Sequence, residues 1–533
     1  MDFTKLATSN AVANTVTRAA LLAIIAPPLA IFLFEAVAGL SMPGAAGAAG
    51  AGAPFSLALL GRSVSMAALA ALAATVVGTM VGLVAGRLGF WGSRIVLFAL
   101  VMPIAAPPAI HAYVWRNIAL SAGLLGDLFV EGGSWAVNFA GAVGSLVSAF
   151  WAIPALAAFA VAAGPGKRYE LEARPFAAAG TAARRILVPS LLPGAAASGG
   201  IVFVLAFSDY IVASLWQIET YPVRILSIYS SFFEPRVAAA ASLVPAAVTL
   251  VVCAGLFIAA GKALTRFDVE RAVVERDILW RPGRALRALA LLAVAALAGT
   301  PVIASAYWTW ANWPGVGGLT TIAEDFAFTL AVAAVAAAAG ACVAAFVAGT
   351  HWIRGRRWGY AMAALAVMVF LLPAAGVGLA VKQIAQWQVV PPAFGGTSAA
   401  LVYALAGRFL AVPLLLTMIA MARIDRRYAY LTRVSGAGGL RAAAAVGVPL
   451  AFPAAAAGAV IAMVLGVAEL PIAMLVAPPG RPPISVDLFN LMHYARQGEA
   501  FAASLAMMAG ASAAIFAIFA LTRKSWKQYM PIH

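Results

Sequence analysis

Twelve stretches of this chain run for about twenty residues or more with few charges: 19–40, 56–85, 95–115, 136–163, 195–216, 238–262, 286–308, 326–350, 358–381, 398–422, 453–477 and 501–522. About twenty apolar residues is the length of helix that crosses a bilayer. Inside the hydrocarbon core only helices and closed barrels satisfy every backbone N–H and C=O. The chain therefore reads as an all-α membrane protein with about twelve transmembrane helices. Only 10% of its residues are charged, against about 25% in soluble domains. Pro27 and Pro28, Pro103, Pro107 and Pro108, and Pro373 fall inside these stretches and predict kinks or breaks, the third span being short or broken.

Basic residues set the orientation. With both termini on the cytoplasmic side, 27 of the 35 Lys and Arg fall on that side, as the preference of cytoplasmic loops for basic residues requires. The net charge of +16 is thus accounted for without nucleic acid, for which no basic stripe with interleaved aromatics exists. The polar lead through Arg18 and the long apolar run to Leu40 read as a retained first span rather than a cleaved leader.

The chain also repeats itself. At an offset of 260 residues Pro189 meets Pro449, Pro193 meets Pro453, Asp209 meets Glu469, Pro222 meets Pro482 and Tyr229 meets Phe489, with Ile201, Val204 and Leu205 falling on Ile461, Val464 and Leu465. Prolines, acids and aromatics held at one offset point to an internal duplication. Residues 1–262 form one repeat of about six spans, 263–285 a charged cytoplasmic linker, and 286–533 the second repeat. An even number of spans per half makes the repeats parallel, with a transport pathway expected at their interface.

Two charged islands stand at matching places between spans four and five of each half. The first holds Glu170, Glu172, Phe176 and Gly180 and leads through Arg184 and Arg185 to Pro189 and Pro193; the second holds Tyr430 and Gly436 and leads to Pro449 and Pro453. Each is longer than a minimal connection needs. Short helices lying along the membrane and ended by the proline pair would form a docking surface for a cytoplasmic partner.

These islands resemble the signature cytoplasmic loop of binding-protein-dependent ABC importer permeases, the EAA loop, whose pattern is Glu-Ala-Ala, three residues, Gly, nine residues, Ile-x-Leu-Pro. Pro449 puts Gly436 at the motif glycine, with Tyr430 replacing the glutamate. Pro189 puts Glu170 at the glutamate position and Phe176 at the glycine position. Two six-span halves in one polypeptide resemble the fused ferric-iron type, with thiamine permeases close behind. The resemblance implies a type I ABC importer permease fold in a bacterial inner membrane. It implies two copies of a cytoplasmic ABC ATPase docked on the loops and a periplasmic solute-binding protein above. ATP and Mg would bind the partner, and this chain would hold no cofactor and run no reaction. Ferric iron is the substrate that the fused architecture favours; thiamine, polyamine and phosphonate stay open.

The residues themselves agree that ATP binds elsewhere. A P-loop needs Gly, four residues, then Gly-Lys-Ser/Thr, and neither Gly164-Pro165-Gly166-Lys167 nor Gly261-Lys262 supplies it. Cys253 and Cys342 lie apart in apolar segments, and the four histidines, His111, His351, His493 and His533, form no ligand spacing, so no metal site is expected. Asp209 and Glu469, near the outer ends of equivalent spans, are candidate gate or pathway residues, since acids beside spans are costly and line polar routes. Charged residues in 216–236 and 476–500 are candidates for meeting the binding protein. Gly78, Gly82 and Gly86 suit close helix packing. Trp308, Trp310 and Trp313 suit the outer membrane interface. The alternative function is a secondary transporter of the major-facilitator kind. It would not require a repeated long loop, and its usual acid-containing motif between spans two and three has no counterpart in Gly86–Arg94.

Overall fold

The computed structural model describes residues 3–40, 56–88, 106–121, 135–163, 178–232, 234–264, 280–354, 358–422, 424–434, 439–494 and 496–529, together with 172 and 176. Every regular element among them is a helix. Eight helices are long and apolar enough to cross a membrane, or up to eleven if each of three bent pairs is one span. The chain is a multi-pass, all-α membrane protein.

Eight of the twelve expected spans overlap one such helix and three overlap the bent pairs; residues 95–105 of the third lie outside the described residues, and its remainder begins the helix Pro108–Ser121. The bends fall where the backbone is interrupted. Pro373 stands at the N-cap of Ala374–Ala385, and that helix turns 102° from Trp358–Leu371. The pairs Trp135–Phe150 with Ala152–Ala163, and Ser398–Phe409 with Ala411–Ala422, each bend by 41°.

The fifth and eleventh spans begin about ten residues earlier than expected. They run Arg184–Phe207 and Ala443–Val467 instead of 195–216 and 453–477. The proline pairs therefore do not end helices lying along the membrane. Pro189 and Pro449 are the second residues of the α-helical segments Val188–Phe207 and Val448–Val467, which continue helical backbone from the residues before them. Pro193 and Pro453 lie one turn further in. A π-turn precedes each, Ala183–Leu187 and Ala443–Gly447.

Element boundaries recur 260 residues apart. The short helices Ala179–Ala182 and Gly439–Ala442, the two π-turns and the two twenty-residue helices all match at that offset. Residues 201–209 and 461–469 even share one sequence of burial, position by position.

Packing relies on small residues. The helix Leu57–Gly86 lies on Ala152–Ala163 with Gly78 against Trp151 and Pro154, Gly82 against Ala155 and Gly86 against Ala162. In the later part of the chain Gly458 lies against Pro413, and Gly349 against Gly447 of the π-turn. The first helix, Phe3–Leu40, does not stay with its sequence neighbours. It packs on Pro235–Ala241, Ala374–Ala385 and Ser398–Phe409, pinned by the buried Glu35, which pairs with Arg236 (Nε–Oε2 3.1 Å), and by the Tyr403 hydroxyl donating to the Ala23 carbonyl at 2.7 Å. Conversely Arg284–Val294 packs on Leu57–Gly86, and Thr300–Ala311 on Pro108–Ser121. The first helix thus reaches helices of the later part of the chain, and Arg284–Val294 and Thr300–Ala311 reach helices of the earlier part.

Candidate functional site

The two twenty-residue helices stop at Phe207 and Val467, and a short break separates each from a second small helix, Ile211–Leu215 and Pro471–Val476. Asp209 and Glu469 occupy these breaks. A side-chain oxygen placed there meets the free amides of the next helix, and the Asp209 Oδ1 accepts from the Val212 N–H at 2.8 Å. Tyr210 and Phe489 face each other beside them, with ring centroids 6.0 Å apart.

The two acids are held differently. Glu469 Oε2 lies 3.4 Å from Arg408 Nε, both side chains about 10% exposed or less, and its carbonyl accepts from Ser485 Oγ at 3.0 Å. Arg408 also donates from Nη1 to the Leu372 carbonyl at 2.6 Å. Leu372 lies in the 102° break, where a carbonyl is left over by the interrupted helix, so one guanidinium serves both the break and the acid. Aligning the bends at Trp151 and Leu410 puts Ala149 where Arg408 stands. Asp209 consequently has no cationic partner among the described residues.

Arg408 is the residue that sequence reasoning missed. Its signal was available: it is the one base inside the apolar stretch 398–422, and a base inside a span has a partner as a rule.

A cavity of about 20 Å³ is bounded by Phe207, Ser208 and Tyr210 on one side and Leu371, Pro373 and Pro471 on the other, room for a single water.

At the opposite, basic end lie the two loops. In the first, Glu172, Phe176 and Gly180 are exposed, Phe176 by 89%, and Arg184 and Arg185 are exposed on the π-turn; Glu170 lies outside the described residues. In the second, the helix Arg426–Val434 starts behind Asp425, whose Oδ1 accepts from the Arg427 N–H at 2.9 Å. Ala429 is buried with Trp352 and Ile353, while Tyr428, Tyr430, Leu431 and Val434 are each at least 60% exposed. Gly436 lies outside the described residues. No group of three or more potential metal ligands occurs among the described residues, and both cysteines are unpaired thiols.

No protein-family model, curated protein or solved structure matches this chain.

Proposed function

We propose that this chain is the membrane permease of an ATP-driven importer, built as twelve spans in two parallel six-span repeats, with both termini in the cytoplasm of a bacterial inner-membrane system. The observation that carries the reading is the paired unit at the basic end: an exposed loop, a short helix, a π-turn and a twenty-residue helix, repeated 260 residues on. A twenty-residue helix is about 30 Å long, so each unit links a cytoplasmic surface to the far side of the bilayer. At its far end stands Asp209 in one case and Glu469 in the other. Two ATPase subunits pressing the loops together on binding ATP would move both helices, open the interface lined by Phe207, Tyr210, Leu371 and Pro471, and admit a solute handed over by a periplasmic binding protein. Hydrolysis on the partners then resets the halves. In this reading the chain supplies a pathway and two levers, and ferric iron is the substrate first to be tested, ahead of thiamine, polyamines and phosphonates.

The test is affinity capture of the full chain from gently solubilised membranes. Recovery of an ABC ATPase and a solute-binding protein is expected. Recovery of the chain alone, together with uptake driven by a proton gradient, would overturn the proposal.

A further inference from the structure

Between the helices Leu57–Gly86 and Arg284–Val294 lies a cleft of about 460 Å³, far larger than the cavity between the halves and within the size range of small-molecule sites. Its walls are Val81, Val84, Ala85 and Leu88 on one helix and Ala290, Leu291 and Val294 on the other; Arg284 and Arg287 complete the lining. Three residues apart on a helix, these arginines share one face. Both are exposed, and neither pairs with an acid among the described residues. Leu289, Leu291 and Leu292 are each more than half exposed, so the helix that forms one wall also faces the surrounding hydrocarbon. The cleft is therefore open sideways into the bilayer at the basic end of the bundle, apolar along its length and doubly cationic at one end.

We propose that this cleft is a binding site for an anionic glycerophospholipid, with one acyl chain along Val81, Val84, Leu291 and Val294 and the phosphate on Arg284 and Arg287. Guanidinium groups match phosphate oxygens in paired hydrogen bonds, and basic pockets between spans are the usual seats of anionic headgroups. A soluble phosphate would use the arginines and leave the apolar walls wet; a neutral lipid would use the walls and leave two charges unanswered. The inference rests on the membrane location of the chain and stands apart from the transport reading. Because Arg284–Val294 comes from the second half and Leu57–Gly86 from the first, a lipid seated here would tie the two together.

The test is native mass spectrometry of the full chain, purified from nanodiscs of equimolar phosphatidylglycerol and phosphatidylcholine. Preferential retention of phosphatidylglycerol, at least several-fold, is expected. Arg284→Gln with Arg287→Gln should abolish the preference. Leu291→Trp, which keeps both arginines and fills the cleft, should lower retention of either lipid there. Arg62→Gln with Arg224→Gln, equal in charge change at the other end, should leave the preference intact, and monodisperse elution certifies each variant as folded. Equal retention of the two lipids, an unchanged preference in the Arg284/Arg287 variant, or displacement of phosphatidylglycerol by millimolar inorganic phosphate alone would overturn the proposal.

Discussion

Arg408 and Glu469 meet as a buried ion pair, Nε to Oε2 at 3.4 Å, and the same guanidinium closes the broken helix at Leu372. Removing one member of such a pair leaves an unanswered charge, at a cost of about 3–5 kcal/mol. Arg408→Met is therefore expected to lower the thermal midpoint of the detergent-solubilised chain sharply. Adding Glu469→Gln should restore much of the loss, though not the part due to the Leu372 carbonyl. Additive losses in the double variant would show that the two residues act separately.

Asp209 stands at the matching position without an arginine. Asp209→Asn keeps an acceptor for the Val212 amide, so folding should change by no more than about 1 kcal/mol, the order of a weakened helix cap. If the breaks at 208–210 and 468–470 form the gate, Asp209→Asn with Glu469→Gln lowers uptake while membrane insertion, followed by cell fractionation, stays at the parental level. Undiminished uptake in vesicles would remove both acids from the pathway.

The glycine ridge makes a sharper demand. A β-carbon on Gly82 would fall far inside contact distance of the Ala155 carbonyl, and one on Gly78 inside that of Trp151. Both obstacles are backbone, so the helices themselves must separate. Gly82→Ala should cost about 1–3 kcal/mol, as overpacking does. Gly61→Ala, on the same helix with nothing within 4 Å, should be neutral or gain up to about 1 kcal/mol. Thermal melts of the two variants side by side decide it.

Asp487 gives a pH dependence. It lies on Ile484–His493, outside the candidate spans. Burial, followed by the neighbouring Asp325 carboxyl, pushes it up to about 7 from 3.8. Between these values the folded chain keeps a proton that the unfolded chain releases, so this residue's contribution to stability declines as pH rises from about 4 to about 7 and is level above that. Asp487→Asn should melt close to the parent at pH 4 and above it at pH 8. A difference that is constant with pH would rule out the raised titration of Asp487.

The second loop presents Tyr428, Tyr430 and Leu431 to solvent and buries Ala429. Replacing Tyr428, Tyr430 and Leu431 with Ser should leave the melt within about 2 °C of the parent, since surface changes rarely exceed about 0.5 kcal/mol. If an ATPase docks on these loops, its recovery with the chain should fall several-fold. Phe176→Ser tests the first loop in the same way. An unchanged yield of partner from both would show that the loops are not the docking surface.

Much of the fold is legible in the sequence because it depends on one dimension only. The length of apolar runs decides how many helices can cross a bilayer, and the order 57–86, 184–207, 315–353, 443–467 emerges from it within about ten residues. The 260-residue offset, the ridge at Gly78, Gly82 and Gly86, and the break at Pro373 are likewise local or periodic properties. Proline is less legible: Pro189 and Pro449 read as stops, but the helix runs through both behind a π-turn, and such turns leave no mark in Ala-rich sequence.

What only the tertiary structure decided is which helix faces which. In a chain apolar on every side, no amphipathic stripe tells a neighbour-facing surface from a lipid-facing one, so nothing in the sequence seats Phe3–Leu40 against the far half or opens a cleft beneath Arg284 and Arg287. Nor does it join Arg408 to Glu469, which lie on different helices and meet only when those helices pack. The sequence determined a multi-span helical chain; tertiary packing determined that Glu469 is paired with Arg408 while Asp209 has no cation beside it among the described residues.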